Sequence, residues 1–171
     1  SKLCLEFADN VLNETNSYEL HITAREHLSG LPESSLEAAA AKAKGKNKKG
    51  WIFDITMPSY LPFMKYADNR DLRRELYLAY MSKAFRDNEF DNRDNVRKIV
   101  NLRLEMANLI GYTNYADYVL RQRMAENPAG VYNLLNSLYE VSYKVALKEK
   151  SEIEKVEEAV SLPAFPEVPD Q

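Results

Sequence analysis

From Asn69 to Val160 the apolar residues return every three or four positions, and this spacing restricts most of the chain to amphipathic helix. Leu72, Leu76, Ala79 and Tyr80 share one helical face, with arginines and glutamates opposite. "DNEFDNRDN" separates this helix from the next. Ile99, Leu102, Met106 and Leu109 form a second stripe, which Gly111 ends at the position just past the helix. Thr113 is placed to cap a short helix carrying Tyr115, Tyr118, Val119 and Gln122. Asn127-Pro128, a capping side chain followed by a proline suited to the first helical position, opens another helix. Val131, Leu134, Leu138, Val141 and Val145 are its expected buried face. It runs on into a charged stretch with Lys148–Glu152 and Lys150–Glu154 at i,i+4.

The first seventy or so residues break that rhythm. Residues 2–13 read as helix, and "YELHIT" (18–23) alternates like a strand with Leu20 and Ile22 on one face. "LSGLPESSLEAAAAKAK" supplies turn residues and then an alanine-rich helix over 34–44, with Ser34 and Glu37 at capping-box spacing. A lysine-rich loop closed by Gly50 leads into "WIFDIT" (51–56), rich in β-branched and aromatic residues and read as the second strand. Pro58 and Pro62 follow, and Pro62 suits the first turn of a short helix through "LPFMKYA". Two strands alone are marginal in water, so these must pair with each other and lie on the helix of 34–44. Trp51, Phe53 and Ile55 are expected on one side of a corner, with Leu61, Phe63 and Tyr66 closing over it. Truncating a buried Trp51 to Ala would then cost about 3–5 kcal/mol. The expected fold is mainly α, a multi-helix antiparallel stack with one small two-stranded β element. It spans residues 1–160, with an irregular proline-rich tail at 161–171. No internal repeat suggests a solenoid.

Composition narrows the function classes. A net charge of -3 predicts no strong attraction to nucleic acid or to an anionic membrane. No apolar run approaches the roughly 20 residues of a membrane helix. One cysteine, Cys4, cannot form an internal disulfide, which points to a reducing, cytoplasmic setting.

Few residues could carry chemistry. His21 and His27, six positions apart, would stand roughly 240° apart on one helix, so a single ion could not reach both. Neither H-E-x-x-H nor H-x-x-E-H occurs. Lys42, Lys44, Lys46, Lys48 and Lys49 lack interleaved aromatics and read as a solvated loop. Asp87, Asp91 and Asp94 lack the central glycine and terminal glutamate of a calcium loop and read as helix caps. Cys4 lies in an apolar setting with no histidine beside it. Neither G-x-S-x-G nor a phosphate-binding glycine loop is present. The eleven tyrosines fall mostly on helical apolar faces, where packing is their ordinary role. No catalytic, cofactor-binding or metal-ligating residue is assigned.

Several stretches together carry a resemblance. "FADNVLNETNSYEL", "LSGLPE" with its alanine-rich helix, "GWIFDITMPSYLPFMKYADNRDLRRELYLAYMSKA" and "NVRKIVNLRLEMANLIGYTNYADYVLRQRMAENPAGVYNLLNSL" follow one another. Arg103, Ala107, Leu109, Ile110, Gly111, Ala116, Met124 and Ala125 keep a characteristic spacing in the last of these. Over residues 5–155 the chain resembles the non-catalytic N-terminal part of the M3 family of zinc oligopeptidases, with a leaning to its bacterial peptidyl-dipeptidase branch. "SLPAFPEVPDQ" finds no counterpart.

The resemblance implies a largely helical fold bounding a channel for short peptides. It also implies zinc in the full-length parent, held by the two histidines of H-E-x-x-H and a further glutamate. None of those positions occurs here, so the chain alone is expected to hold no zinc and cleave nothing. Its partners would be short peptides and the missing catalytic half. The alternative is a free-standing helical interaction module without peptidase activity.

Overall fold

The computed structural model describes residues 2–160; the tail expected at 161–171 lies outside the described residues. The described residues are mainly helical, with seven helices and one two-stranded antiparallel sheet. They fall into two compact units, Ser1–Leu102 and Arg103–Gln171, and helix α5 (Arg93–Leu109) contributes to both.

In the first unit, β1 (Leu20–Ile22) pairs with β2 (Trp51–Phe53) in the register Leu20↔Phe53, His21↔Ile52 and Ile22↔Trp51. Helix α2 (Glu33–Gly45) packs on β2 as expected, and buried Ala39 and Ala43 permit the close approach. The capping box does not form. The first turn of α2 closes on the carbonyl of Pro32, which accepts from the Ser35 and Leu36 amides at 3.0 and 3.2 Å. Gly50, at φ +92°, lets the chain enter β2 against β1, where a Cβ would lie 2.3 Å from the Ile22 carbonyl oxygen.

Helix α3 (Met57–Tyr66) starts a turn earlier than the sequence suggests: Pro58 takes the first turn and Pro62 sits inside. Asp54 causes the difference. Its Oδ1 accepts from the Thr56 amide at 3.0 Å and the Thr56 hydroxyl at 2.6 Å, and its own N–H donates to Ser59 Oγ at 3.0 Å. These bonds fix the turn that launches the helix.

The corner differs in its lid as well. Phe53 and Ile55 are buried and Phe63 is 0% exposed, but Leu61 and Tyr66 are 53% and 44% exposed. Tyr60 takes their place, buried and stacked on Tyr80 at 4.1 Å, while Phe53 meets Phe63 edge-on at 4.7 Å. Trp51 is only half-buried, so its truncation costs less than a fully buried aromatic would. Helix α4 (Arg70–Met81), capped by Asn69 Oδ1 on the Leu72 amide, buries Leu76 and Ala79 and partly buries Leu72 and Tyr80.

Helix α1 (Lys2–Ser17) extends past the expected end and joins the unit through polar groups. Buried Glu14 accepts from the Ala84 amide and, at 3.2 Å, from the Asn88 side chain. Asn92 donates to the Phe7 carbonyl and accepts from Asn10, both at 3.0 Å.

In the second unit Gly111 ends α5 at φ +87°, as expected. Asn114, not Thr113, caps α6 (Tyr115–Leu120), accepting from the Asp117 amide at 3.0 Å. Asn127 caps α7 (Pro128–Val160) through the Gly130 amide at 2.9 Å. The expected burial of the α7 stripe is corrected here: Leu134, Leu138, Val141 and Val145 are exposed and Val131 is half-buried. Leu102, Met106 and Leu109 of α5 are exposed too. Periodicity marks the side to be covered, and most of that side stands open. The tyrosines divide in the same way: Tyr60 is buried, whereas Tyr66, Tyr77, Tyr132, Tyr139 and Tyr143 are exposed.

Candidate functional site

The corner of β1, α2, β2 and α3 gathers most of the residues singled out from the sequence. His21, in β1, faces solvent, and its Nε2–H donates to the Lys49 carbonyl at 2.7 Å. His27 lies in the 3-10 turn Arg25–Leu28 and its Nδ1 accepts from the Asn69 side chain at 2.9 Å. Each imidazole therefore commits one ring nitrogen to holding a loop.

The lysine-rich segment is more than a solvated loop. Lys46 and Lys48 both pair with Glu19, and their hydrogen bonds hold its carboxyl down at about 2. Lys42 pairs with Asp54. Burial pushes the Asp54 carboxyl up, but the hydrogen bonds from Lys42 and Thr56 outweigh it and leave the group below the usual carboxylate range. A crevice of about 120 Å³ opens beside this pair, among Ser35, Ala39, Phe53, Thr56 and Ser59. Its ionic groups neutralise each other, and the one hydroxyl there that meets a carboxylate, Thr56 on Asp54 Oδ1, spends that hydrogen bond on the turn that launches α3.

The other candidates are structural. Asp91 accepts from the Arg93 amide and side chain and Asp87 pairs with the same guanidinium, which holds Asp91 below the ordinary range. Asp94 pairs with Arg97. Cys4 is exposed in the first turn of α1. Sequence reasoning missed two groups: Glu14, whose partners lie some seventy residues away, and the Asp54 turn. The latter had a local signal in "DITMPS", an acid two residues before a threonine and four before a proline.

A description of Peptidase family M3 matches residues 63–167, more than half of the chain. The chain belongs to peptidase family M3. The match reaches into the proline-rich segment for which sequence reading found no counterpart. Oligopeptidase A of Haemophilus influenzae is 40% identical over 157 residues, covering 90% of this chain and 23% of that protein. Oligopeptidase A of Escherichia coli is 39% identical over 81% of the chain and 21% of its own length. Dipeptidyl carboxypeptidase of Escherichia coli is 25% identical over 90% of the chain. The leaning toward the peptidyl-dipeptidase branch is thus corrected toward oligopeptidase A. The M3 chain spans about a fifth of the length of the curated relatives it matches.

M3 peptidases are zinc-dependent, and the residues present do not fit the metal. The chain lacks H-E-x-x-H, and its two histidines sit on different elements, each tied to a protein partner. Among the described residues no three of His, Cys, Asp and Glu converge. Among them, too, no helix is long and apolar enough to cross a membrane.

Proposed function

We propose that this chain is the non-catalytic, channel-forming part of an M3 zinc peptidase whose whole protein hydrolyses short peptides. The observation that carries this reading is the pairing of the M3 match over residues 63–167 with a sequence that has no H-E-x-x-H. A hydrolase of this kind needs two imidazoles one helical turn apart and a glutamate facing the metal-bound water. Those groups belong, on this reading, to the part of the parent that the chain does not span. The compact corner, with Phe63 locked between the sheet and the helices, supplies a stiff frame to position wall helices without touching substrate.

The test is metal analysis with a fluorogenic peptide assay on the isolated chain. The expected result is substoichiometric zinc and no turnover. Stoichiometric zinc together with hydrolysis overturns the proposal. The gene beyond Gln171 should carry H-E-x-x-H in frame.

A further inference from the structure

The first five turns of α7 carry apolar residues around more than one side. At about 100° per residue, the arc from Val141 through Leu138 and Leu135 to Tyr143 covers roughly 200° of the helix surface. Within it Ser142 is the one polar side chain, and its hydroxyl donates back to the Leu138 carbonyl at 2.7 Å. Asn133, Asn136, Ser137, Glu140 and Lys144 occupy the remaining strip, with Leu147 the one large apolar side chain among them. The arc has two edges of different character. Leu134, Val141 and Val145 form an aliphatic edge; Tyr132, Tyr139 and Tyr143 form an aromatic one, with Tyr139 and Tyr143 stacked at 4.9 Å. Both edges are open: Leu134 is 61% and Tyr139 58% exposed. Past Leu147 the pattern narrows to Ile153 and Val156, flanked by the exposed Lys148–Glu152 and Lys150–Glu154 pairs.

A helix that packs on one neighbour needs an apolar stripe of about 100°. An arc twice as wide needs neighbours on two sides. We infer that residues 131–147 of α7 are a docking surface gripped on both edges by the remainder of an M3 polypeptide, an inference that rests on the functional reading above. A second copy of this chain is the poorer occupant: pairing along one seam covers one edge and leaves the other in water. The curated relatives hold about four-fifths of their length outside the matched region, ample polypeptide to enclose a helix from two sides.

The test compares the free chain with a chimera in which it replaces the matched 157 residues of Haemophilus influenzae oligopeptidase A. Amide exchange over residues 131–147 should slow by about a hundredfold or more in the chimera relative to the free chain. Leu134→Glu and Tyr139→Glu, one on each edge, should each lower the melting midpoint of the chimera and leave that of the free chain unchanged. The inference is overturned if only one edge is sensitive, if the chimera does not fold, or if the free chain forms a discrete dimer at micromolar concentration with α7 protected. A folded chimera that protects α7 yet hydrolyses no peptide upholds the docking surface and sinks the functional reading. A hydrolytic chimera indifferent to both variants does the reverse.

Discussion

Glu14→Gln isolates the polar joint between α1 and the loop after α4. The carboxylate is 2% exposed and accepts from two donors, the Ala84 amide and the Asn88 side chain. A glutamine keeps one acceptor oxygen, so one of those donors must face an amide NH₂. A buried donor left unsatisfied costs about 1–3 kcal/mol. Arg86, 3.6 Å from Glu14 Oε1 and partly exposed, adds no more than about 1 kcal/mol through the lost charge. The expected loss is therefore about 1–4 kcal/mol, which at a slope of about 2 kcal/mol per molar lowers the urea midpoint by about 0.5–2 M. Urea unfolding followed by Trp51 fluorescence and by far-ultraviolet circular dichroism reads the shift. The double variant Glu14→Gln/Asn88→Ala should fall short of additivity by at least about 0.5 kcal/mol. A midpoint unchanged within about 0.2 M, or strict additivity, refutes the assignment of Glu14 as the joint.

Phe63→Ala should destabilise the first unit by about 3–5 kcal/mol, and Trp51→Ala by less than half of that, in a urea titration read by circular dichroism, since the second variant removes the one tryptophan. Equal losses would contradict the half-buried placement of Trp51. Gly50→Ala should cost more than about 1 kcal/mol, because both its backbone region and the Ile22 carbonyl oppose a Cβ. A neutral result would remove the close approach of the strand ends. Glu19 has a folded pKa of about 2 against an ordinary 4.5, so its contribution is complete above about pH 4.5 and is lost as pH falls toward 2. The stability difference between the wild type and Glu19→Gln should be flat above about pH 5, vanish near pH 2 and shrink with salt. A difference that grows on acidification refutes the pairing.

Periodicity made the helices and both strands legible, because each has a face that must leave water. Starts of elements were harder to read. Helix α3 begins where the Asp54 side chain folds back on Thr56, a choice made by three hydrogen bonds and not by apolar spacing. The rival caps Thr113 and Asn114 stand side by side, and only geometry decides that Asn114 reaches the Asp117 amide. The α7 stripe told which side wants cover, but a stripe does not say whether the cover lies in the same chain. The Glu14 joint was invisible, since its partners are some seventy residues away. For the candidate site, the lack of H-E-x-x-H was fully legible because that motif is local. The partners of His21 and His27 were not, because tertiary folding alone brings Lys49 and Asn69 to them.

The M3 match begins at Phe63, a side chain that is 0% exposed. A chain trimmed to the start of that match would keep a family signature and discard Leu20, Ile22, Phe53 and Ile55, which belong to the same hydrophobic cluster as Phe63. A cut between β1 and β2 would do worse, leaving the Trp51–Phe53 backbone as an unpaired edge open to a neighbouring molecule. The limit of the family description and the limit set by packing are thus different lines, and a stable shortened version must respect the second.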